Sequence, residues 1–265
     1  MSQNDGAAPL GAARGQAEAL LEGLASQGSL DAHVHLGFML DAAGVATDCA
    51  EQGLALFANT VTPQEYRRLR EELGDRANVR LGVGLHPWWL ADGRAGEADA
   101  EAVCSELAGT DWVGEIGLDL SPRHGAHELQ LRAFTRICEA CGEAGGKVMS
   151  IHAVRSAEAV LDVLERSGCT ETCLPILHWF SGSTEALRRA VGLGVHFSVN
   201  EMQASTRRAK EQLRLIPEEL LLFETDLPPG EGVAFSAAEI AASLERARER
   251  TRAIRSAPRP ARRTR

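Results

Sequence analysis

The stretch Leu30-Asp31-Ala32-His33-Val34-His35 is a short apolar run that ends in a His-x-His pair. In a β-strand, successive side chains alternate between the two faces, so both imidazoles point the same way, about 7 Å apart along the strand. Two imidazoles that face one cavity suggest a metal ion. A pair of polar residues at a strand end is the simpler alternative, and the rest of the sequence has to decide between the two.

The 265-residue chain has an ordinary globular composition, with 44% hydrophobic and 25% charged residues. This length suits an α/β barrel with a single core. No apolar run approaches the length of a membrane span, and the N-terminus lacks the charged and apolar regions of a signal peptide. These features predict a cytoplasmic protein without membrane contact. The net charge of -9 excludes a protein that coats DNA, so any work on nucleic acid would be local, where metal ions offset the phosphate charge.

Six cysteines include the pairs Cys138/Cys141 and Cys169/Cys173, whose spacings resemble zinc-binding patterns. The first pair falls in a strongly helical stretch, and thiols stay reduced in a cytosolic chain. We therefore favour buried thiols that act as small apolar side chains over a structural zinc site.

Hydrophobic periodicity predicts eight strands that alternate with helices, at spacings of about 20 to 35 residues. The strands are expected at 30–35, 54–59, 79–85, 112–116, 147–151, 174–177, 195–199 and 220–223. The helices are expected at 16–24, 41–52, 62–74, 97–107, 126–143, 157–165, 184–191, 205–215 and 236–254.

This alternation is typical of a single TIM-type (β/α)8 barrel, which is the predicted α/β fold class. A doubly wound open sheet is the alternative, although no Gly-x-Gly-x-x-Gly or P-loop pattern opens a helix. We divide the chain into an N-terminal segment with a short helix (1–28), the barrel (29–255) and a basic flexible tail (256–265). The tail is most simply a frayed end, and a contact for a polyanion is the alternative.

Seven ionisable side chains fall at the predicted carboxyl ends of strands, where α/β barrels place their active sites. They are His33, His35, His86, Glu115, His152, His178 and Asp226. Imidazole and carboxylate donors without thiolates suit zinc, manganese, iron or magnesium-like ions. The six candidate ligands, which are these residues apart from His86, favour two ions over one. Glu115 has two oxygens and can bridge such a pair. Hydrolysis is the chemistry that two such ions typically support.

Six short motifs resemble the successive motifs of the TatD family of metal-dependent deoxyribonucleases, in the family's order. They span about residues 30 to 230 and are Asp31-Ala-His-Val-His-Leu36, Gly84-Leu-His-Pro87, Gly114-Glu-Ile-Gly-Leu-Asp119, Ile151-His152, Leu177-His-Trp-Phe-Ser-Gly-Ser183 and Glu224-Thr-Asp226. Within the family, the words Leu120-Ser-Pro-Arg123, Met149-Ser-Ile-His152 and His178-Trp179-Phe180 resemble the QatD proteins of an anti-phage defence system.

The resemblance implies a hydrolase that cleaves phosphodiester bonds of DNA, single-stranded or at ends, by metal-activated water. It also implies two divalent ions (Mg, Mn or Zn), with Asp226 and Glu115 as catalytic residues and Asp226 handling protons. One ion would be held by His33, His35, Glu115 and Asp226, and the other by Glu115, His152 and His178. Protein partners in a defence complex are a further implication of the QatD likeness.

Two more residues have less certain parts in the implied site. His86 would contact substrate or orient a ligand, and holding the turn before Pro87 is its structural alternative. Glu224 lies two residues before Asp226 and would orient a ligand or serve the fold alone.

Candidates for substrate binding lie just beyond the strand ends. They are His86, Arg123, Arg155, Trp179, Ser181 and Ser183, with Trp88 and Trp89 on the same rim. The run Ser181-Gly182-Ser183 precedes a helix, where free N–H groups favour a phosphate, although the same residues can act as plain capping residues. Arginines can hold a phosphodiester and indoles can stack on unpaired bases, whereas a surface arginine and an aromatic roof over the barrel are the structural alternatives.

The chain departs from the family's pattern at two places. Gly37 follows His-x-His-Leu where the family has an acidic residue, and an Arg-rich tail replaces the family's final Asn-containing helix. Two other functions are kept open: an amidohydrolase for a small amide, lactone or nucleobase, and a barrel that is mainly a binding component of a defence complex. Many amidohydrolases use a bridging carboxylated lysine, but Lys147 precedes strand five at the wrong end.

Overall fold

Eight parallel strands form the centre of the protein, whose computed structural model describes residues 10–228 and 230–258. The strands are β1 (Ser29–Val34), β2 (Leu54–Asn59), β3 (Val79–Gly82), β4 (Trp112–Asp119), β5 (Val148–Val154), β6 (Leu174–His178), β7 (His196–Val199) and β8 (Leu221–Phe223). Strands that follow one another in sequence pair in parallel, in the runs β1-β2-β3 and β4-β5-β6-β7-β8.

Two seams join these runs into a barrel. A bridge between Val83 and Val113 connects β3 to β4. At the other seam, the Asp226 N–H donates to the His33 carbonyl (2.9 Å) and the His35 N–H to the Leu227 carbonyl (2.8 Å). The residues after β8 therefore pair with β1. This sequential order confirms the predicted (β/α)8 barrel, since a doubly wound sheet reverses its strand order.

Helices connect the strands and cover the barrel. They are α1 (Leu10–Ala25), α2 (Ala42–Glu51), α3 (Pro63–Leu73), α4 (Pro87–Ala91), α5 (Glu97–Glu106), α6 (His127–Ala144), α7 (Ala157–Arg166), α8 (Cys169–Thr172), α9 (Thr184–Gly192), α10 (Glu201–Ser205), α11 (Ala209–Gln212) and α12 (Ala237–Ser256). Thr62, Ser183 and Ser236 start α3, α9 and α12, because each side chain accepts a first-turn N–H. Within the described ranges, no helix is both long and apolar enough to traverse a bilayer.

The connection between β7 and β8 differs from the single helix predicted at 205–215. It contains α10 and α11 instead, because the Thr206 hydroxyl donates to the Gln203 carbonyl (2.9 Å) and accepts the Ala209 N–H (3.2 Å). These two hydrogen bonds end one helix and start the next. The short helices α4 and α8 were not predicted either.

Several boundaries also differ from the predicted ones. β4 and β5 extend to Asp119 and Val154, so His152 lies within its strand rather than after it. β3 ends at Gly82, three residues early, and α1 begins at Leu10 instead of residue 16. Residues 1–9 and the tail residues 259–265 lie outside the described residues. The division at 28/29 and 255/256 stays a prediction.

The helix α1 closes the end of the barrel at which the strands begin. Its buried Leu21 and Leu24 belong to one apolar cluster with Val148 and Leu174, the first residues of β5 and β6. The guanidinium of Arg14 fastens the same helix. Its Nη1 donates to the Thr170 carbonyl (2.6 Å) and its Nη2 to the Gly194 carbonyl (2.5 Å).

Arg14→Ala is expected to lower the free energy of unfolding by about 1–3 kcal/mol, because two partly buried carbonyls are deprived of a charged donor. Urea unfolding followed by circular dichroism would measure the change. Glu22→Ala, at an exposed position of the same helix, is the control and should leave stability nearly unchanged. Equal stabilities of the two variants would contradict a fastening role for Arg14.

The four cysteines with zinc-like spacing are buried where α6 meets α8. The Cys169 thiol donates to the Cys138 carbonyl (3.1 Å) and the Cys173 thiol to the Cys141 carbonyl (3.3 Å). Burial raises the pKa of the Cys138 and Cys141 thiols, which keeps them protonated. Across the described part of the chain, the groups of donor atoms close enough to share a cation contain no cysteine. These contacts support buried apolar thiols over a structural zinc.

Candidate metal centre

Seven ionisable side chains meet at the carboxyl ends of the strands, and they are the seven that the sequence pattern predicts: His33, His35, His86, Glu115, His152, His178 and Asp226. Six of them are almost completely buried, whereas 20% of the Asp226 side chain is exposed. All except His33 line a cavity of about 340 Å³. Its outer wall includes the aromatic residues Phe38, Trp88, Trp89 and Trp179.

Glu115 is the centre of this cluster, and each of its carboxylate oxygens faces different imidazoles. Oε1 lies 2.8 Å from His152 Nδ1, 2.8 Å from His178 Nε2 and 3.1 Å from His86 Nε2. Oε2 lies 3.3 Å from His35 Nε2 and 3.5 Å from His33 Nε2. A carboxylate with donors on both oxygens has the geometry of a bridging ligand.

Asp226 completes the side of the cluster that faces β1. Its Oδ1 lies 3.4 Å from His35 Nε2 and 3.7 Å from His33 Nε2, and these two nitrogens are 3.1 Å apart. Asp226 adopts a left-handed backbone conformation, with φ of 56°, which non-glycine residues rarely adopt. The turn after β8 thus places a carboxylate opposite the His-x-His pair.

The charges within the cluster favour a bound cation. Burial lowers the pKa of His35, but hydrogen bonds to Asp226 and Glu115 outweigh burial and raise that pKa to about 10. Burial also lowers the pKa of His178. The negative charge of Glu115 outweighs this effect and raises that pKa well above its ordinary value. Positive charge is therefore favoured at this point in the fold. Divalent cations fit the same place, because imidazole nitrogens and carboxylate oxygens are the donors that zinc, manganese and iron prefer.

Among the described residues, three groups of side chains could hold a cation, since the donor atoms within each group lie within 4.8 Å of one another. They are His33, His35 and Glu115; His33, His178 and Asp226; and His86, Glu115 and His152. The predicted second site instead joins His178 to Glu115 and His152. The structure brings those three residues together as well, yet the His178 ring also stacks on His33 at 4.1 Å. The number of ions and the ligands of each stay predictions.

His86 differs from the other histidines because its hydrogen bonds define a neutral form. Its Nδ1 accepts the Trp88 N–H (3.1 Å), so its proton is carried by Nε2, which points at Glu115. Burial lowers the pKa of His86 to about 4, so the ring is uncharged at neutral pH. The residue therefore both holds the turn before α4 and presents an N–H donor to the cavity.

Polar side chains behind the cluster hold the histidines in place. Ser150 Oγ lies 2.7 Å from His33 Nδ1. Asp31 accepts hydrogen bonds from the Thr225 hydroxyl (2.6 Å) and N–H (2.9 Å), although burial raises its pKa to about 7. Glu224 is fully buried, accepts the Trp179 N–H (3.1 Å) and lies 3.8 Å from His178 Nδ1. Of these three, only Glu224 had a predicted role.

The sequence model of the TatD related DNase family matches residues 30–254 of the chain. The chain belongs to the TatD family. The matched range contains all seven members of the histidine and carboxylate cluster.

Several curated relatives carry the name 3'-5' ssDNA/RNA exonuclease TatD. The protein from Pantoea ananatis is 28% identical over 173 residues, which cover 64% of this chain and 65% of the relative. The protein from Escherichia fergusonii is 31% identical over 152 residues, or 55% of this chain and 56% of the relative. The protein from Escherichia coli K12 is 28% identical over 194 residues, or 71% and 72%. The chain thus spans less than two thirds of the length of the first two.

Two solved structures have the same fold as this TatD-family chain. YJJV, a TatD homologue from Escherichia coli K12, aligns with a TM-score of 0.68 at 22% identity and covers 85% of this chain and 94% of its own. A hydrolase of the TatD family from Entamoeba histolytica aligns with a TM-score of 0.62 at 18% identity and covers 76% and 74%. At these identities the likeness establishes the barrel fold alone.

Asp119 joins the cluster of this TatD-family chain although no sequence pattern predicted a role for it. Its Oδ2 accepts the indole N–H of Trp88 (2.7 Å) and lies 3.4 Å from His152 Nε2. Hydrogen bonds from His152, Trp88 and Ser121 outweigh the effect of burial and lower the pKa of Asp119, which therefore stays ionised. Asp119 thus orients the His152 ring from the side opposite Glu115.

Asp119→Asn is expected to weaken binding of Mn²⁺ about 10- to 100-fold, because His152 loses the charged partner that fixes its orientation. Isothermal titration calorimetry on metal-stripped protein would measure the affinity. Asp92→Asn is the control, since that carboxylate is half exposed and pairs with Arg94 on the surface. An Mn²⁺ affinity equal to that of the control would argue against the orienting role.

The other predicted substrate-binding residues of the TatD-family chain lie at different distances from the cavity. Trp179 and Ser181 line it. Ser183 caps α9, which is the structural role that was the alternative to phosphate binding. Arg155 is exposed in an adjoining groove. Arg123 is exposed in the turn after β4. The structure therefore brings Trp179 and Ser181 to the cluster and leaves the other three outside the cavity lining.

Proposed function

We propose that this TatD-family chain is a metal-dependent hydrolase that cleaves phosphodiester bonds in DNA, single-stranded or at ends. The observation that carries the proposal is Glu115, whose two oxygens face five imidazoles while Asp226 faces the open side of the same cavity. The names of the relatives, which describe exonucleases of single-stranded DNA and RNA, support this substrate class. The cavity also has a volume typical of small-molecule sites.

Each residue of the cluster has a part in the proposed reaction. Two divalent ions, magnesium, manganese or zinc, would polarise the phosphoryl group and activate a water molecule. The proposed ligands of these ions are Glu115, His33, His35, His152, His178 and Asp226. Asp226, the partly exposed carboxylate, would orient the attacking water and receive its proton. His86 would donate its Nε2 proton in a hydrogen bond to a phosphoryl oxygen.

The aromatic wall supports a substrate with unpaired bases. Trp88 and Trp89 line the cavity beside His86, and Phe38 stacks on Trp89 with ring centroids 6.1 Å apart. Stacking of a base on such a side chain contributes about 1–3 kcal/mol. The face of a base that is stacked in a duplex is not available to an aromatic side chain, so we expect single strands to be preferred.

The amidohydrolase alternative receives less support from the structure. Lys147 lies at the amino end of β5, where its ammonium donates to the Leu107 and Thr110 carbonyls (2.9 Å each) and pairs with Asp111. It therefore does not reach the cluster as a bridging carboxylated lysine would. The position opposite the histidines is occupied by Glu115.

We further propose that the chain takes part in anti-phage defence together with protein partners. This proposal rests on the QatD-like words around Arg123, His152 and Trp179. Cells that carry the complete defence system with Glu115→Gln should lose protection in a plaque assay. Full protection by the variant would favour a barrel that acts as a binding component instead.

Hydrolysis by metal-stripped protein tests the proposed activity. Magnesium, manganese and zinc would each be restored before addition of labelled single-stranded DNA, single-stranded RNA, duplex DNA or bis-p-nitrophenyl phosphate. Release of short products from single-stranded DNA with at least one ion is expected. If no ion restores hydrolysis of any phosphodiester, the proposal is wrong.

A further inference from the structure

A groove of about 470 Å³ adjoins the cavity of the histidine and carboxylate cluster. It runs between the turn from β5 to α7 and the turn from β6 to α9, and Ser181 lines both the groove and the cavity. Two arginines line the groove: Arg155, which follows β5, and Arg208, in the connection between β7 and β8. A ligand that leaves the cavity past Ser181 therefore meets two guanidinium groups.

Both arginines are available to an anion. Each is exposed, and no carboxylate of the described residues lies within 4 Å of either guanidinium. Glu158 also lines the groove, but its carboxylate is occupied by the guanidinium of Arg189 (2.9 Å). In a chain with a net charge of -9, two uncompensated guanidiniums in one groove form a local site for negative charge.

The wall of the groove is fixed before any ligand arrives. The consecutive carbonyls of Phe180, Ser181 and Gly182 accept hydrogen bonds from Gln203 Nε2 (2.8 Å), Arg208 Nη1 (2.7 Å) and Gln212 Nε2 (2.8 Å). All three donors come from the connection between β7 and β8. Arg208 is thereby anchored at the groove edge with its remaining N–H groups free to donate.

Arg155 is held in place by its backbone. It directly follows β5 and has a φ of 55°, a left-handed conformation that non-glycine residues rarely adopt. His152 of the metal centre lies three residues earlier on the same strand. The same element thus positions a residue of the metal centre and an arginine of the groove.

Resting on the proposed function, we propose that this groove binds a second phosphodiester of the substrate strand, clamped between Arg155 and Arg208. The phosphate next to the reacting one would occupy it. Charged guanidinium forks suit the two free oxygens of a phosphodiester, which a bidentate contact can engage. The chain would therefore recognise a strand longer than the nucleotide in its cavity.

Binding measurements on metal-stripped protein test this proposal without turnover. Fluorescence anisotropy would follow fluorescein-labelled dT2, dT4 and dT8 at several salt concentrations. The double variant Arg155→Ala/Arg208→Ala should bind dT8 about 10- to 100-fold more weakly than the native protein. Its slope of log affinity against log salt should flatten by about 0.7 for each phosphate that the variant no longer neutralises.

The matched control is Arg166→Ala/Arg252→Ala, which removes the same charge from exposed positions at the far end of α7 and on α12. Arg155→Ala alone is a second test, because Arg208 also supports the Ser181 carbonyl. The proposal is overturned if both groove variants match the control in affinity and salt slope, or if the native protein gains no affinity from dT2 to dT8.

Two further outcomes separate this groove from the proposed activity and from free phosphate. If the groove variants bind dT8 more weakly but the native protein hydrolyses no phosphodiester, the groove is supported and the proposed activity is refuted. Inorganic phosphate is the competitor. If it displaces dT8 at the same concentration of negative charges as dT8 itself carries, the groove is a simple anion site and strand recognition is overturned.

Discussion

Glu115→Gln is expected to lower kcat for single-stranded DNA by about 10³-fold or more. Its carboxylate faces five histidines, with nitrogen–oxygen distances of 2.8 to 3.5 Å. Glutamine keeps the shape but removes the negative charge, so the site loses a ligand that can bridge two cations. We therefore expect bound divalent metal, measured by elemental analysis, to fall together with kcat.

The control for this loss is Glu106→Gln. Glu106 is a largely buried carboxylate that pairs with Arg67 (2.7 Å) and Arg70 (3.4 Å) on α3, away from the metal centre. Its variant should retain metal and kcat, while thermal unfolding of both variants reports the fold. A Glu115→Gln protein that is folded, metal-loaded and fully active would refute the central role of this carboxylate.

Asp226→Asn is expected to lower kcat about 10²- to 10⁴-fold with less loss of metal than Glu115→Gln. Asparagine cannot accept the proton of the attacking water, but Glu115 and the histidines still provide ligands. The seam to β1 should persist, because Asp226 contributes its backbone N–H there. Steady-state kinetics and elemental analysis on the same preparation distinguish the absence of a proton acceptor from the absence of an ion.

Asp111→Asn is the matched control, since Asp111 is a partly exposed carboxylate that pairs with Lys147 at the opposite end of the barrel. Its kcat should equal that of the native protein. Should Asp226→Asn lose metal as completely as Glu115→Gln, Asp226 would be a ligand first, and the assigned proton transfer would need another residue.

The residues of the histidine and carboxylate cluster could be placed together from sequence because barrel topology fixes where strand ends meet. A histidine or carboxylate that follows an apolar run, as His178 and Asp226 do, needs no knowledge of distant packing to be placed at the carboxyl face. The pattern could not reveal how these donors are shared. The stacking of His178 on His33 depends on how far each strand advances around the barrel.

Asp31 and Asp119 show what a fuller use of strand alternation could have found. Asp31 lies two residues before His33, and Asp119 lies four after Glu115 on the same strand, so each shares a face with a predicted ligand. Their partners were beyond sequence reasoning. The indole of Trp88 reaches Asp119 across 31 positions, which only the folded barrel determines.

The groove arginines illustrate the same limit. The helical periodicity over 205–215 gives no sign of the break at Thr206. That break places Arg208 beside Ser181, 27 positions away in sequence. The anchoring of three consecutive carbonyls by three side chains has no local signature. Contacts between turns of different βα units are set by tertiary packing rather than by propensity.

A nascent chain that is still being synthesised does not yet contain all the residues of the histidine and carboxylate cluster. His33 and His35 emerge early, whereas Asp226 reaches them only after the chain beyond β8 has joined β1, a contact that spans 194 positions between Asp31 and Thr225. Nascent chains and fragments that end before this seam hold histidines without their late carboxylate. By the proposed chemistry such products lack the carboxylate that receives the proton of the attacking water, so they should hydrolyse phosphodiesters far more slowly than the complete chain.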